Sequence, residues 1–276
     1  TTKPEIYSTK SGLFPADHFY QVYQDRAGNN WLLTDNGLGM IRPGERQPVN
    51  YFVETQGKQD GMNQAFYAVR ECEDDICFTS DRGRIWCYQK KSGEFRLHEL
   101  PTKARITSIH AVGNDNTVVT TDSDGFFLSN LKTNKHIHYS PVTCKELSDQ
   151  PILSAYVDRT SEVWFEQEEP GVVVHFNPAT GVVKREQMRV EYSNADRSRP
   201  AFHIHEDIHG HVWVHPYGGG FSYFDRERNC LVPFYDDLGS NNWRFSNKIH
   251  AAFSDKQGNL WLCTHSKGCL LYTSPS

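Results

Sequence analysis

Hydrophobic and polar positions alternate with a period of two over short stretches of this chain, and few stretches follow the period of a helix. Tyr20-Gln-Val-Tyr23 and Phe202-His-Ile-His-Glu206 read this way, as strands do when one face is packed and the other meets polar surroundings. A turn signal follows, and the combination recurs. One segment runs Asp25-Arg-Ala-Gly28-Asn-Asn-Trp31-Leu-Leu-Thr34, with Gly37 beyond it; another runs Asp255-Lys-Gln-Gly258-Asn-Leu-Trp261-Leu-Cys-Thr264, with Gly268 beyond it. A third, Asp207-Ile-His-Gly210-His-Val-Trp213, leads into Gly218-Gly219-Gly220, and a fourth, Asp158-Arg-Thr-Ser161-Glu-Val-Trp164, leads to Gly171. Two weaker copies carry Ile76 and Val118 at the Trp position. Each keeps a Thr three residues on (Thr79, Thr121) and a Gly seven on (Gly83, Gly125).

The Trp-equivalent ladder is 31, 76, 118, 164, 213 and 261, with steps of 45, 42, 46, 49 and 48 residues. That is the length of a four-stranded propeller blade. Asp-x-x-Gly predicts a tight turn: the carboxylate accepts from turn N–H groups and Gly takes the positive φ. The Trp-x-x-Thr run predicts a second strand, with Trp supplying area for packing one blade on the next. The later Gly opens a third strand, where a side chain would crowd neighbouring backbone. Phe95-Arg-Leu-His98 and Leu231-Val-Pro-Phe234 then read as outer, fourth strands. A fainter repeat leads into each first strand, in Gly12-Leu-Phe-Pro-Ala-Asp-His-Phe19, Gly61-Met-Asn-Gln-Ala-Phe66, Leu147-Ser-Asp-Gln-Pro-Ile152 and Phe245-Ser-Asn-Lys-Ile249. The expected fold is all-β: one β-propeller domain over 1–276, with six blade repeats near 12–60, 61–100, 101–146, 147–196, 197–244 and 245–276.

Together these repeats resemble the two-component regulator propeller, which fills the periplasmic sensor region of hybrid two-component sensor histidine kinases of Bacteroidetes-type bacteria. The resemblance covers essentially the whole chain. It is specific in the first, fifth and sixth copies and loose in the second and third. It implies a non-catalytic piece of a larger propeller or of tandem propellers, sensing an oligosaccharide and signalling by phosphorelay. It also implies a periplasmic location, as the ectodomain of an inner-membrane protein, and a homodimer formed through the parent protein. In that family an immunoglobulin-like domain, a membrane helix, a kinase and a response regulator come after the propellers, and none of them is expected here. Cys269-Leu-Leu-Tyr-Thr-Ser-Pro-Ser276 resembles the in-frame translation of a transposase-type sequencing-library adapter, which implies that native sequence ends near Gly268. The alternative is that Cys269–Tyr272 is the third strand of the sixth repeat. Glu5-Ile-Tyr7 reads as the outer strand of a preceding blade.

Composition narrows the partners. Aromatics make up 13% of the 276 residues and only 3 are Met, a balance that favours pleated surfaces. Lys plus Arg number 29 against 34 for Asp plus Glu, a net charge of −5, with no basic cluster. A nucleic-acid or anionic-membrane surface is therefore not expected. No apolar run approaches the roughly 18 residues of a membrane helix, so this segment is expected to make no direct membrane contact. The seven Cys include no CxxC pair, and no structural metal is implied. Cys72, Cys77 and Cys87 share one repeat and read as buried thiols, with a disulfide the alternative in an oxidising compartment.

Candidate chemistry is sparse, and no cofactor is implied. His203, His205, His209, His211 and His215 crowd the fifth repeat. With Glu206 or Asp207 they could hold zinc, but polar residues lining a solvated channel are the simpler reading, and no metal site is assigned. Glu162, Glu166, Glu168 and Glu169 could supply the carboxylate pair of a glycosidase, although consecutive acids more often form a solvated turn. Nucleophile-elbow, P-loop and zincin motifs are absent. In an up-and-down blade the loop entering strand one and the loop joining strands two and three share a face. That face is expected to carry His18, Asn36, Gln64, Arg82, Arg105, Tyr217, Trp243 and Arg244. Rings for stacking and planar donors suit sugar binding. Trp243 lies outside the ladder, either as a ligand platform or as a cap on its own blade. A binding module is the first reading; a propeller glycan lyase or hydrolase and a protein-interaction scaffold are the alternatives.

Overall fold

The computed structural model describes residues 8–14, 16–52, 64–113, 115–188, 204–215, 221–233, 249–264 and 268–272. Every regular element among them is a β-strand. The first sheet comprises β1 (Phe19–Gln24), β2 (Asn30–Thr34), β3 (Leu38–Ile41) and β4 (Val49–Tyr51), and the second β5 (Phe66–Glu71), β6 (Asp75–Ser80), β7 (Arg84–Gln89) and β8 (Phe95–Glu99). The third comprises β9 (Ile106–Ala111), β10 (Asn116–Thr121), β11 (Phe126–Asn130) and β12 (Lys135–Tyr139), and the fourth β13 (Ile152–Val157), β14 (Val163–Gln167), β15 (Val172–Asn177) and β16 (Val182–Gln187). The fifth comprises β17 (Ile204–Glu206), β18 (Val212–Val214), β19 (Ser222–Asp225) and β20 (Cys230–Pro233), and the sixth β21 (Ile249–Ser254), β22 (Leu260–Thr264) and β23 (Cys269–Tyr272). Strand order within every sheet follows the chain, one sheet per repeat, and the sixth has three strands among the described residues. Cys269–Tyr272 is thus a paired third strand, whereas Thr273–Ser276 and Glu5–Tyr7 lie outside the described residues.

The repeat motif works as a hydrogen-bonded cage. Asp25 Oδ1 accepts the N–H groups of Ala27 and Asn29, while Oδ2 accepts the Asn29 amide and the Trp31 indole N–H at 2.8 Å. Asp158, Asp207 and Asp255 do the same for Trp164, Trp213 and Trp261, at 2.8, 2.9 and 2.9 Å. The motif therefore fixes the indole as well as the turn. Trp31, so fixed, packs on Phe78 and Tyr88 of the second sheet, ring centroids 4.8 and 5.1 Å away. Trp164 packs with Val212, Val214 and Phe224 of the fifth sheet, and Trp213 with Ile249, Leu260 and Leu262 of the sixth. Trp261 departs from its expected burial. It keeps its Asp bond and stacks on Phe253, but is only half-buried. Apart from hydrophobic packing, a polar latch recurs between neighbouring sheets. The Tyr23 hydroxyl donates to Glu71 at 2.8 Å, and His205 Nε2 meets Ser254 Oγ at 2.9 Å from the same place in the repeat.

The third-strand Gly is needed for its conformation and for space. Gly171 has φ 73°, and a Cβ there would stand 2.7 Å from the Met188 carbonyl oxygen. Gly125, at φ 62°, would drive a Cβ into the Tyr139 carbonyl. Cys77 and Cys87, directly opposite each other on β6 and β7, form a disulfide while Cys72 stays free, so the buried-thiol reading is corrected for two of the three. The chain divides into two compact units, one of Thr1–Ile109, Val119–Asp122 and Ser129–His136, the other of His110–Val118, Ser123–Leu128 and Ile137–Ser276.

Candidate functional site

Each first strand opens on an apolar residue: Phe66, Ile152 and Ile249 are fully buried and Phe19 partly so. A bulge follows at once, between Phe19 and Gln21, Phe66 and Val69, Ile152 and Ser154, and Ile249 and Ala251. An extra residue breaks the strict alternation and re-aims the side chain beside it. In the first two sheets the residue released in this way is a tyrosine, Tyr20 and Tyr67.

These tyrosines head a contiguous strip within the first unit. The His18 ring lies 4.6 Å from that of Tyr20, Tyr20 lies 4.9 Å from Tyr67, and the Arg105 guanidinium carbon stands 5.1 Å from the centroid of the Tyr67 ring. The Tyr67 hydroxyl donates to Asp81, 3.1 Å from each carboxylate oxygen. Arg105 pairs through Nε with Asp122 at 3.3 Å, and its backbone N–H donates to the other oxygen of the same carboxylate at 3.2 Å. Burial above all, then the charge and hydrogen bond of Asp81, pushes the Tyr67 hydroxyl well above the ordinary phenol range, with Arg105 opposing. Tyr67 is thus a neutral donor at physiological pH. Tyr20 is 42% exposed, and His18 beside it is exposed as well.

Of the eight residues placed on this face by sequence, His18 and Arg105 belong to the strip. Arg82 follows Asp81 and is exposed, with a left-handed φ of 58°. Gln64 is buried and its carbonyl accepts the Gly37 N–H at 2.9 Å, while neither end of its side-chain amide finds a partner among the described residues. Asn36 is half-buried, its N–H bonded to Thr34 Oγ1. Tyr217, Trp243 and Arg244 lie outside the described residues. The shared face itself follows from bonds such as Asp35 N–H to His18 C=O and Gly83 N–H to Ala104 C=O, which tie the two sets of loops together. Tyr20, Tyr67, Asp81 and Asp122 were missed as site residues. Their signal is the recurring pair Phe19-Tyr20 and Phe66-Tyr67, aromatics adjacent where a regular strand would alternate.

The other candidates resolve as structure. Glu166 is fully buried on β14 and not part of a solvated turn. Glu162 holds His175 at 2.7 Å, and Glu169 pairs with Arg185 at 2.5 Å. In the fifth repeat His205 bonds Ser254, His211 Nδ1 bonds Asp207, His215 is buried, and His203 lies outside the described residues. Among the described residues no group of His, Cys, Asp and Glu is arranged to hold a metal ion, and no helix is long and apolar enough to cross a membrane.

Residues 244–266, in the sixth repeat, match the family described as two component regulator propeller, and the resemblance drawn from the repeats is borne out there. No curated protein matches the chain. Among solved structures, the extracellular domain of the hybrid two component system BT3049 from B. thetaiotaomicron is similar over 95% of this chain and 34% of its own, with a TM-score of 0.63 and 19% identity. Virginiamycin B lyase from Staphylococcus aureus is similar over 94% of this chain and 85% of its own, with a TM-score of 0.62 and 13% identity. The extracellular domain of the one component system BT4673 from B. thetaiotaomicron is similar over 96% of this chain and 41% of its own, with a TM-score of 0.50 and 15% identity. The chain thus spans about a third of the BT3049 domain. These likenesses, with one antiparallel sheet per repeat, give the fold as an all-β propeller.

Proposed function

We propose, from the premise that the chain carries two-component regulator propeller repeats, that it is a ligand-sensing, extracytoplasmic propeller segment of a hybrid two-component sensor histidine kinase. In this reading it resides in the periplasm and responds to an oligosaccharide. The observation that carries the reading is the strip His18–Tyr20–Tyr67–Arg105 at the loop end of the first unit's sheets. Aromatic faces flanked by carboxylates and a planar cation suit the apolar faces and hydroxyl rims of sugars. The Cys77–Cys87 disulfide supports an oxidising compartment. The chain's own role is to bind ligand and bias a two-state assembly, a homodimer of the parent protein, without chemistry on the ligand. Asn36, Gln64 and Arg82 lie on the neighbouring loops of the first unit, and Tyr217, Trp243 and Arg244 are kept as candidates from the sequence.

Calorimetric titration with an oligosaccharide panel tests this reading. Binding of at least one oligosaccharide is expected, weakened by Tyr20→Ala or by the Trp243→Ala, Arg244→Ala double variant; indifference of the whole panel would sink the proposal. Virginiamycin B lyase has a similar fold and is an enzyme, which keeps a lyase or hydrolase as the second reading. The panel separates the two, since an enzyme would shorten the glycans and a sensor would return them intact.

A further inference from the structure

Building on the sensor reading, we infer that the strip of Tyr20, Tyr67 and Arg105 selects a neutral, hydroxyl-rich sugar ring over a carboxylated or sulfated one. What decides between the two is which groups are already committed. Arg105 is a cation set over these rings, and it is engaged twice, over the Tyr67 face at 5.1 Å and with the Asp122 carboxylate at 3.3 Å. An anionic sugar reaching for Arg105 would lie against Asp122, and juxtaposed like charges disfavour binding. Tyr67 has one hydroxyl hydrogen and gives it to Asp81. What remains at this end is acceptor: further lone pairs on Asp81 and the phenol oxygen. Sugar hydroxyls are donors and meet that need.

Two further features fit a neutral ring. Tyr20, 42% exposed and in ring contact with His18 and Tyr67, offers exposed aromatic surface to the C–H side of a pyranose. Gln64, 4% exposed, holds a side-chain amide with no hydrogen-bond partner among the described residues, tied to this end of the sheets through its carbonyl to Gly37. A buried amide without a partner calls for an explanation, and a neutral donor–acceptor pair matches a hydroxyl better than a charge. Arg82, next to Asp81, and Lys103, two residues before Arg105, are exposed. Their pull on an anion is weak and screened by salt.

The test titrates the full chain with neutral cello-, manno- and galacto-oligosaccharides and with oligogalacturonate and heparin-derived oligosaccharides of matched length, at low and moderate salt. A neutral oligosaccharide is expected to bind at least about tenfold more tightly than its acidic counterparts, with little dependence on salt. Tyr20→Ala, at an exposed position, is expected to weaken it by about tenfold. Asp122→Asn keeps the oxygen that accepts the Arg105 N–H but removes the charge, and is expected to shift preference towards the acidic sugars by about tenfold. A merely structural Asp122 would lower all affinities together, which would overturn the charge argument. Preferential binding of an acidic oligosaccharide, lost in Tyr20→Ala, would overturn neutral selection and leave the sensor reading standing. Binding indifferent to Tyr20→Ala would remove the strip as the site while keeping the sensor, and no binding at all would overturn both.

Discussion

At the scale of single residues, the motif aspartate does more than cap a turn. Its second oxygen reaches the indole of the Trp six residues on, a bond the hairpin geometry creates and the spacing alone does not announce. Four carboxylates are engaged in this way, and all four titrate below the ordinary aspartate value. For Asp25, Asp158 and Asp207 burial is the largest influence and acts upward, but the combined hydrogen bonds outweigh it. Asp255 is lowered to about 2, chiefly by the Trp261 and Asn259 side chains. A carboxylate with a depressed folded-state pKa contributes stability that is complete above its unfolded value and is lost as pH falls through the folded one. Unfolding free energy is therefore expected to decline as pH drops from about 3.8 towards about 2, measured by urea denaturation across that range. Asp158→Asn, where Trp164, Thr160 and Arg226 all converge, is expected to cost about 2 kcal/mol near neutral pH and to flatten the acid decline. An unchanged acid limb would show that these carboxylates are not what acid disrupts.

At the scale of elements, turn and ladder positions were legible because each depends on local chemistry: a carboxylate over turn N–H groups, a Gly at positive φ, a large ring on a packed face. The bulge after Phe19 and Phe66 was not, since it shows only as two adjacent aromatics in a run otherwise read as alternating. Missing it hid Tyr20 and Tyr67, and with them half of the strip. The latch between sheets was equally hidden, because it joins residues 48 apart in Tyr23 and Glu71. Glu71 also accepts from Lys90 Nζ at 2.6 Å and from the Arg26 N–H. Burial, and after it the Glu71 bond, pushes the Tyr23 hydroxyl up to about 12, so it stays a donor throughout the physiological range. A double-mutant cycle of Tyr23→Phe and Glu71→Gln is expected to give a coupling of about 1 kcal/mol. Additive effects would mean that the latch contributes nothing beyond its separate parts.

At the scale of the whole molecule, repeat architecture makes stability approximately a sum of sheets and the interfaces between neighbours. The fold was therefore readable from periodicity, whereas the site was not: a ligand surface is built from the positions where repeats differ, and no repeat argument constrains those. The same logic makes chemically identical residues unequal. Trp164 and Trp261 have the same aspartate bond at 2.8 and 2.9 Å. Trp164 is completely buried against Val212, Val214 and Phe224 of the next sheet and stacked on His175, whereas Trp261 stacks on Phe253 of its own sheet and is only partly buried. Removing a fully packed indole leaves a cavity as well as losing transfer free energy, together about 3–5 kcal/mol. Where part of the ring already meets water the cavity left is smaller, and the loss falls to about 1–2 kcal/mol. Trp164→Ala is thus expected to cost at least about twice as much as Trp261→Ala in chemical denaturation of this chain. Equal costs would mean that Trp261 is covered in solution, and an equilibrium repeated over a range of protein concentrations would then show whether a second copy supplies the cover, because only association makes the midpoint depend on concentration.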